Sequence, residues 1–375
     1  MALSWRTDFP GGNGLLLEAD ESAERTTLRF AAEPRNCPQA MWFHFRAEGL
    51  RQCPVRVVLA NPEQTLGGAD WSGNCLVVRS GDRPWARTGR GLAVTTPAGR
   101  TEWVWKLDVD GDWVEVAHCF PYQPADLEAT LKELGGAFAA EFAGLTLKGR
   151  HISLVTNRPP AKDIPAVLLT ARHHAGEVTG SWVLDGLLRT VAADRRLREK
   201  IAWWAVPFVD LDDVVEGSYG KDPWPHDCNR AYGPGGPRRP EATPVVAAAR
   251  RLKQSASRLF FADLHGPGHA ERANYVPARG WHENSPINPI AYEFGQRFQA
   301  ACPAEIRSPR AFIVPRAGSN DLYAGLPSAE WAHTLGADAV TVEISYQGNA
   351  TADYTVADYR RLGAALAETI AEWLA

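Results

Sequence analysis

The chain has 375 residues, 45% of them hydrophobic and 22% charged, with a formal net charge of −4. That length exceeds a single core of about 100 to 200 residues and predicts two units of unequal size. The charge balance lacks the basic footprint of a nucleic-acid binder, and no stretch approaches the roughly 20 apolar residues of a membrane span, which leaves a small molecule or a peptide as the expected partner.

The opening "MALSWRTDFPGGNG" has neither the basic start nor the apolar run of a secretory signal, so a cytoplasmic location is expected. Cys37, Cys53, Cys75, Cys119, Cys228 and Cys302 are scattered without metal-binding spacing or a disulfide framework, and read as free thiols. Up to Cys119 the pattern is period two, the mark of half-buried strands. In "MWFHFR" Met41, Phe43 and Phe45 share one face, and Trp42, His44 and Arg46 the other. In "EWVWKLDV" Trp103, Trp105, Leu107 and Val109 share a face, and "TTLRFAA" and "VRVVLAN" add further strands. An antiparallel β-sandwich over residues 1–118 is the economical reading.

After "FPYQPAD" the period changes. Leu127, Leu131, Leu134, Phe138 and Phe142 recur at three and four, predicting a helix from near Asp126 that Gly135 and Gly136 weaken. Strands and helices then alternate through "ISLVTN", "AVLLTA", a helix carrying Val183, Leu184, Leu187, Leu188 and Val191, "WWAVPFVD", "RLFFADLH", "AFIVPR" and "AVTVEISY". Leu362, Leu366, Ile370 and Trp373 mark a closing amphipathic helix. Residues 119–375 therefore read as an α/β domain with a mixed, largely parallel sheet flanked by helices, whose functional groups gather at the carboxyl ends of the strands. The Gly/Pro-rich "YGPGGPRRPEATP" lacks the Lys-Ser/Thr ending of a phosphate loop, which argues against nucleotide binding.

"LLTARHHAGEVTGSW", from Leu168 to Trp182, ends an apolar run in two histidines, a turn pair and a glutamate. His174 and Glu177 lie close enough in sequence to reach one ion, and zinc accepts nitrogen and oxygen ligands at about 2.0–2.2 Å. A polar strand end is the alternative. His265 ends "RLFFADLHG" in the same way, and two strand-terminal histidines of one sheet point into one crevice. In "AVTVEISY" Val340, Val342 and Ile344 alternate with Thr341, Glu343 and Ser345. A carboxylate inside a sheet is costly unless paired or used. A structural ion pair would satisfy Glu343, and so would service as a general base beside a metal. In "GSYGKDPWPHDCNRAY" Asn229 and Arg230 suit recognition of a carboxylate, and Asp227 could orient a metal-bound histidine through its second ring nitrogen.

Taken in order, "HAGE" at His174 to Glu177, "DCNRAY" at Asp227 to Tyr232, "DLHG" at Asp263 to Gly266 and "VEISY" at Val342 to Tyr346 resemble the signatures of zinc metallocarboxypeptidases, and among them the cytosolic carboxypeptidase branch. "VAHCFPYQPADL" is similar to the segment that closes the β-sandwich of that branch, so the resemblance spans most of the chain. It implies one zinc ion per chain held by His174, Glu177 and His265, with Glu343 as general base. It implies that Asn229 and Arg230 hold the terminal carboxylate of a peptide or protein tail, that Asp227 supports the first histidine, and that Tyr323 covers the substrate. His173 precedes the motif, with a rim or structural contact as its expected role.

One departure bears on chemistry. The relatives carry an arginine that polarises the scissile carbonyl about nine residues before the Asn of the Asn-Arg pair, where this chain has Gly220; Lys221 is the adjacent cation. A compact ammonium lacks the forked donors of a guanidinium, and loss of an oxyanion donor typically costs about 10²–10³ in rate. His226 and Cys228 also depart from the pattern without touching a ligand position. Preference for acidic side chains, which the branch implies, would call for a basic pocket group, for which Arg310 and Arg316 are candidates. The expected function is a zinc-dependent exopeptidase; a small-molecule deacylase of the same chemistry and a zinc- or peptide-binding protein of weakened catalysis are the alternatives.

Overall fold

The structure, a computed structural model, describes residues 2–223, 226–278, 288–308, 312–313 and 325–375. Its amino-terminal part is built from two five-stranded sheets. One runs in the order Ser4–Arg6, His44–Glu48, Trp113–Ala117, Cys75–Arg79, Ala86–Arg90, antiparallel throughout. The other runs Leu15–Glu21, Thr26–Ala31, Val55–Leu59, Thr101–Leu107, Leu92–Thr95. Phe30 of the second packs on Phe45 of the first with ring centroids 4.8 Å apart.

The sandwich departs from a purely antiparallel reading at one point, because Thr26–Ala31 and Val55–Leu59 pair in parallel. Local periodicity is the same for both pairings. In "MWFHFR" only His44 onward is strand, although Met41, Trp42 and Phe43 are all buried. Both faces of that segment are covered because Trp42 turns to the second domain, where its Cβ lies 3.1 Å from where a side chain on Gly176 would begin.

The second part holds a six-stranded sheet in the order Ala139–Leu145, His151–Thr156, Ala202–Val206, Ala166–Ala171, Leu259–His265, Asp338–Glu343. The last four strands are parallel and the first two join antiparallel. Ala166–Ala171 and Leu259–His265 are buried along their whole length, as strands covered on both faces must be. Val167 and Leu169 belong to the core formed with helices Val178–Ala193 and Val356–Leu374, which also contains the sandwich interior. Leu168 belongs to a separate core with helix Ala242–Ser255. Each fully buried Leu or Val contributes roughly 1.5–3 kcal/mol.

The two long helices meet at glycines. A Cβ on Gly186 would lie 2.2 Å from the Arg360 carbonyl, and one on Gly363 would lie 2.1 Å from that of Val183. Any larger residue at either site would separate the pair. Helix Val356–Leu374 starts at a capping box in which Thr355 and Asp358 satisfy each other's backbone N–H groups.

The helix predicted from Asp126 is shorter than its apolar spacing implies. It spans Pro124–Glu133, and Gly135 and Gly136, at φ of +60° and +86°, turn the chain into the strand Ala139–Leu145. Phe142, at 66% exposure, lies on that edge strand and not on a helix face. All six cysteines are free. No helix among the described residues is long and apolar enough to cross a membrane.

Candidate metal centre and active site

Four groups singled out in the sequence arrive at the carboxyl ends of three neighbouring parallel strands. His174 and Glu177 follow Ala166–Ala171, His265 ends Leu259–His265, and Glu343 ends Asp338–Glu343. The turn carrying the first two leaves its strand through Arg172, a buried residue held at φ +61°. Left-handed backbone at a non-glycine residue costs of order 1–3 kcal/mol and persists only where neighbours enforce it. Here the guanidinium enforces it, donating from Nε to the Ala175 carbonyl at 2.6 Å and from Nη1 to the Tyr122 carbonyl at 3.0 Å and Ser181 Oγ at 3.2 Å. Burial pushes Arg172 down to about 10.

Both histidines present Nδ1 to one carboxylate. His174 Nδ1 lies 2.8 Å from Glu177 Oε1, and His265 Nδ1 lies 2.7 Å from Glu177 Oε2. Glu177 also accepts the Gly266 N–H at 3.1 Å and the Tyr219 hydroxyl at 3.4 Å. The far ring nitrogens are each held by an aspartate: His174 Nε2 is 3.3 Å from Asp227, and His265 Nε2 is 2.7 Å from Asp263 Oδ2. Against the opposing effect of burial, His174 keeps Asp227, and His173 with His265 keeps Asp263, well below the usual carboxylate range.

Among the described residues two groups converge closely enough to hold an ion, His174 with Glu177 and His265, and His173 with Asp263 and His265. The second group is already committed to hydrogen bonds. His173 is fully buried, with Nδ1 2.8 Å from Asp263 Oδ1 and Nε2 2.6 Å from the Tyr232 hydroxyl. Asp263 further accepts from Thr170 Oγ1 at 2.7 Å and Ser328 Oγ at 2.5 Å. His173 is thus an interior structural contact and not a rim residue. The first group fits a divalent metal by its donors, two imidazole nitrogens and a carboxylate whose orienting partners are in place.

Glu343 is the register partner of His265, and its Oε2 has no hydrogen-bond partner among the described residues. Burial pushes its carboxyl up to about 7, against the pull of the neighbouring His265. An orphaned carboxylate oxygen in a buried site is costly and is one mark of a working group.

The loop after Ala202–Val206 brings in the rest. Asp227 caps the short turn Cys228–Arg230 by accepting the Asn229 N–H at 2.7 Å. Asn229 Nδ2 lies 3.0 Å from His265 Nε2, and its Oδ1 accepts the Ser328 N–H at 2.9 Å. Arg230 is half-buried and donates from Nη1 to the Asn229 carbonyl at 3.0 Å. Lys221 Nζ is 3.7 Å from Asp222, and its charge acts on His174, Asp227 and Glu343. Gly220 adopts φ +74°, and a Cβ there would lie 2.7 Å from the Ala175 nitrogen. Tyr323, Arg310 and Arg316 lie outside the described residues.

Sequence reasoning missed three contributors. Asp263 sits two residues before His265 on one strand, and period two places both on one face, a signal that was readable. Tyr219, whose hydroxyl touches Glu177, and Arg172, which shapes the turn, carry no comparable mark.

The architecture is that of metallocarboxypeptidases. The structure superposes on a metallo-carboxypeptidase from Burkholderia cenocepacia with a TM-score of 0.79 at 20% identity, covering 99% of this chain and 98% of that one. It superposes on a metallo-carboxypeptidase from Pseudomonas aeruginosa, solved in complex with (2-guanidinoethylmercapto)succinic acid, with a TM-score of 0.76 at 22% identity and 98% coverage of both chains. Residues 5–119 match the cytosolic carboxypeptidase N-terminal domain family. Cytosolic carboxypeptidase 2 of Xenopus tropicalis is 26% identical over 267 residues, 62% of this chain and 27% of the relative. Its namesake in Danio rerio is 28% identical over 225 residues, 51% of this chain and 31% of the relative. The matched regions thus span less than a third of each of these relatives. The resemblance to the cytosolic branch therefore extends to the amino-terminal domain, and the fold of the whole chain is similar to that of metallo-carboxypeptidases.

Proposed function

We propose that this protein is a zinc-dependent metallocarboxypeptidase that removes C-terminal residues from peptides or protein tails. The observation that carries the reading is the shared Glu177 carboxylate, which receives Nδ1 of both His174 and His265 while an aspartate fixes the far nitrogen of each ring. His174, Glu177 and His265 would hold the ion. Zinc there would supply a Lewis acid that activates water and polarises the last peptide carbonyl.

The remaining work falls to this chain's own groups. Glu343 takes the proton of the attacking water on its open Oε2 and returns it to the departing amine, a role suited to a carboxyl poised near neutrality. Arg230, with Asn229, fixes the free carboxylate of the substrate and so selects the chain end. Asp227 and Asp263 hold the two rings in the tautomer that leaves Nδ1 to the metal. Lys221 supplies positive charge near the reacting carbonyl. Tyr323 enters as a substrate contact from the family resemblance alone.

The weakened-catalyst reading has one specific support. No side chain fits at Gly220, and Lys221 brings a point charge where the relatives bring a fork. The deciding experiment purifies the protein without chelator, measures metal by elemental analysis, and follows release of C-terminal residues from a mixed peptide library, with Glu343→Ala as control. About one zinc per chain, with release that the mutant abolishes, is the expected result. Zinc with cleavage of N-acylated amino acids but of no peptide would identify a deacylase, and zinc without either activity a binding protein.

A further inference from the structure

The strand that ends at Glu343 continues into Ile344–Gln347, and the sandwich grips that continuation. Arg87, in the sandwich edge strand Ala86–Arg90, donates from Nε to the Tyr354 carbonyl at 2.7 Å. Its Nη2 donates to the Tyr346 carbonyl at 2.7 Å and the Tyr359 hydroxyl at 3.2 Å. The side-chain amide of buried Gln347 closes on a sandwich strand as another strand would, accepting the Cys75 N–H at 2.9 Å and donating to the Cys75 carbonyl at 3.2 Å. Tyr359 braces one of these carbonyls from within the second domain, its hydroxyl lying 2.8 Å from the Tyr346 carbonyl oxygen and 3.0 Å from the Ser345 carbonyl oxygen.

The contact continues toward the metal centre. His118 of the sandwich packs on the ring of Tyr346 with centroids 4.8 Å apart. The Tyr346 hydroxyl is 3.4 Å from that of Tyr219, which in turn reaches Glu177. Among the described residues Glu343 has no partner at Oε2, so no hydrogen bond there fixes its side chain and its placement follows from its backbone. On one side that backbone is pinned by Tyr275, through paired bonds of 2.9 and 3.0 Å. On the other, the Ile344 N–H donates to the His265 carbonyl at 2.9 Å, Thr179 Oγ1 donates to the Ile344 carbonyl at 2.9 Å and the Ser345 N–H donates to Asn274 Oδ1 at 3.0 Å, and the chain then enters the segment that Arg87 and Gln347 hold.

We propose that the sandwich is a working part of the catalytic centre and that Arg87 is a positioning residue for Glu343, an inference that rests on reading Glu343 as the general base. A planar fork spanning carbonyls of Tyr346 and Tyr354 fixes the chain more tightly than a single donor does. Misplacing a reacting group by about 1 Å can cost on the order of 10²-fold in rate.

The test compares full-length, zinc-loaded Arg87→Met, Arg87→Lys and Gln347→Met with the parent, on the peptide of a mixed library that the parent trims fastest. Glu343→Gln is assayed first. If it keeps parental turnover, the base reading and this proposal fall together, a result separate from any effect at Arg87. With Glu343→Gln inactive, Arg87→Met is expected to lower kcat about tenfold or more with KM within about twofold, and to move the acid limb of the kcat–pH profile. Zinc content stays at the parental level, Arg87→Lys recovers part of the rate, and hydrogen exchange at Ser345–Gln347 rises. A folded Arg87→Met with parental kcat and pH profile overturns the proposal. Should Arg87→Met fail to fold, Gln347→Met, which removes both bonds to Cys75 of the sandwich, decides: a fall in kcat at constant KM, with faster exchange at Ser345–Gln347, supports it, and parental kcat overturns it.

Discussion

His265 and Glu343 are register partners on adjacent parallel strands. Two register positions back, on the same face, Asp263 pairs with both Thr170 and Thr341, and accepts the Thr170 hydroxyl at 2.7 Å. The sheet therefore places a proposed ligand, its orienting carboxylate and the proposed base by strand pairing, with no loop needed to bring them together. Rigid elements hold reacting groups more closely than loops do.

Glu343→Gln keeps volume and hydrogen-bonding shape but cannot accept the proton. We expect about 10²–10⁴-fold loss of kcat with zinc stoichiometry unchanged. Steady-state kinetics paired with elemental analysis check this, and loss of metal together with activity would assign Glu343 to ion binding.

Asp227→Asn acts on a side chain with three partners, the Asn229 N–H, the Asp222 N–H and His174 Nε2. An asparagine oxygen can still cap the Asn229 N–H, whereas the carboxylate charge facing His174 Nε2 is lost. Zinc affinity is expected to fall about 10–100-fold, and because Asp227 Oδ2 also accepts the Asp222 N–H at 2.8 Å, a bond an amide NH₂ cannot replace, the metal-free protein is expected to lose about 1–3 kcal/mol of stability as well. Competition with a chromogenic chelator measures the first, and calorimetry of stripped protein the second.

Much of this site was legible because buried parallel strands read as apolar runs, so that a histidine or glutamate at their ends stands out. His174, Glu177, His265 and Glu343 all do so. Asp263 was equally exposed to reading, by its i, i+2 relation to His265. Arg172 was not, since nothing local reveals that a residue will adopt left-handed backbone and fold its guanidinium under its own turn. The longer helix expected from Asp126 failed because Leu134, Phe138 and Phe142 match helical spacing by coincidence, while Gly135 and Gly136 end the helix. The grip of Arg87 on Tyr346 joins residues 259 positions apart in sequence, beyond any local pattern.

Removing the metal should uncover a stabilising contribution of Glu343 that falls as pH rises. Burial raises Glu343 to about 7, and Asp263 with Glu177 raises His265 well above its ordinary value despite burial. For both groups the folded pKa exceeds the unfolded one, so their stabilising contribution is complete below the unfolded values, about 4.3 and 6.5, and is lost as pH rises through the folded values. Stripped parent is therefore expected to lose more stability between pH 6 and pH 8 than stripped Glu343→Gln, a comparison that cancels the opposite contribution of His44, His118, His173 and His269, whose pKa values burial lowers. Zinc binds the deprotonated donors, so its stabilising effect should grow over the same range. Calorimetry of both stripped proteins and of the zinc-loaded parent at both pH values tests this, and an equal change in the two stripped proteins would refute it.

Restoring the missing arginine at Gly220 looks attractive from the motif and is opposed by the geometry. The residue sits at φ +74°, and any Cβ would lie 2.7 Å from the Ala175 nitrogen and 3.0 Å from its Cβ. Ala175 follows His174 directly, and its carbonyl anchors Arg172. Left-handed strain alone costs of order 1–3 kcal/mol, and the contact would push the turn that carries two proposed ligands. Gly220→Ala and Gly220→Arg should therefore both lower the melting temperature and weaken zinc binding, with no gain in peptidase rate from the arginine. Lys221→Arg leaves the glycine in place and adds forked donors one residue on, so it is the substitution expected to raise kcat if carbonyl polarisation limits turnover. A Gly220→Arg protein that gains activity while keeping parental stability would mean that this turn yields more readily than its contacts indicate. Parental kcat in Lys221→Arg would instead place the limit at another step.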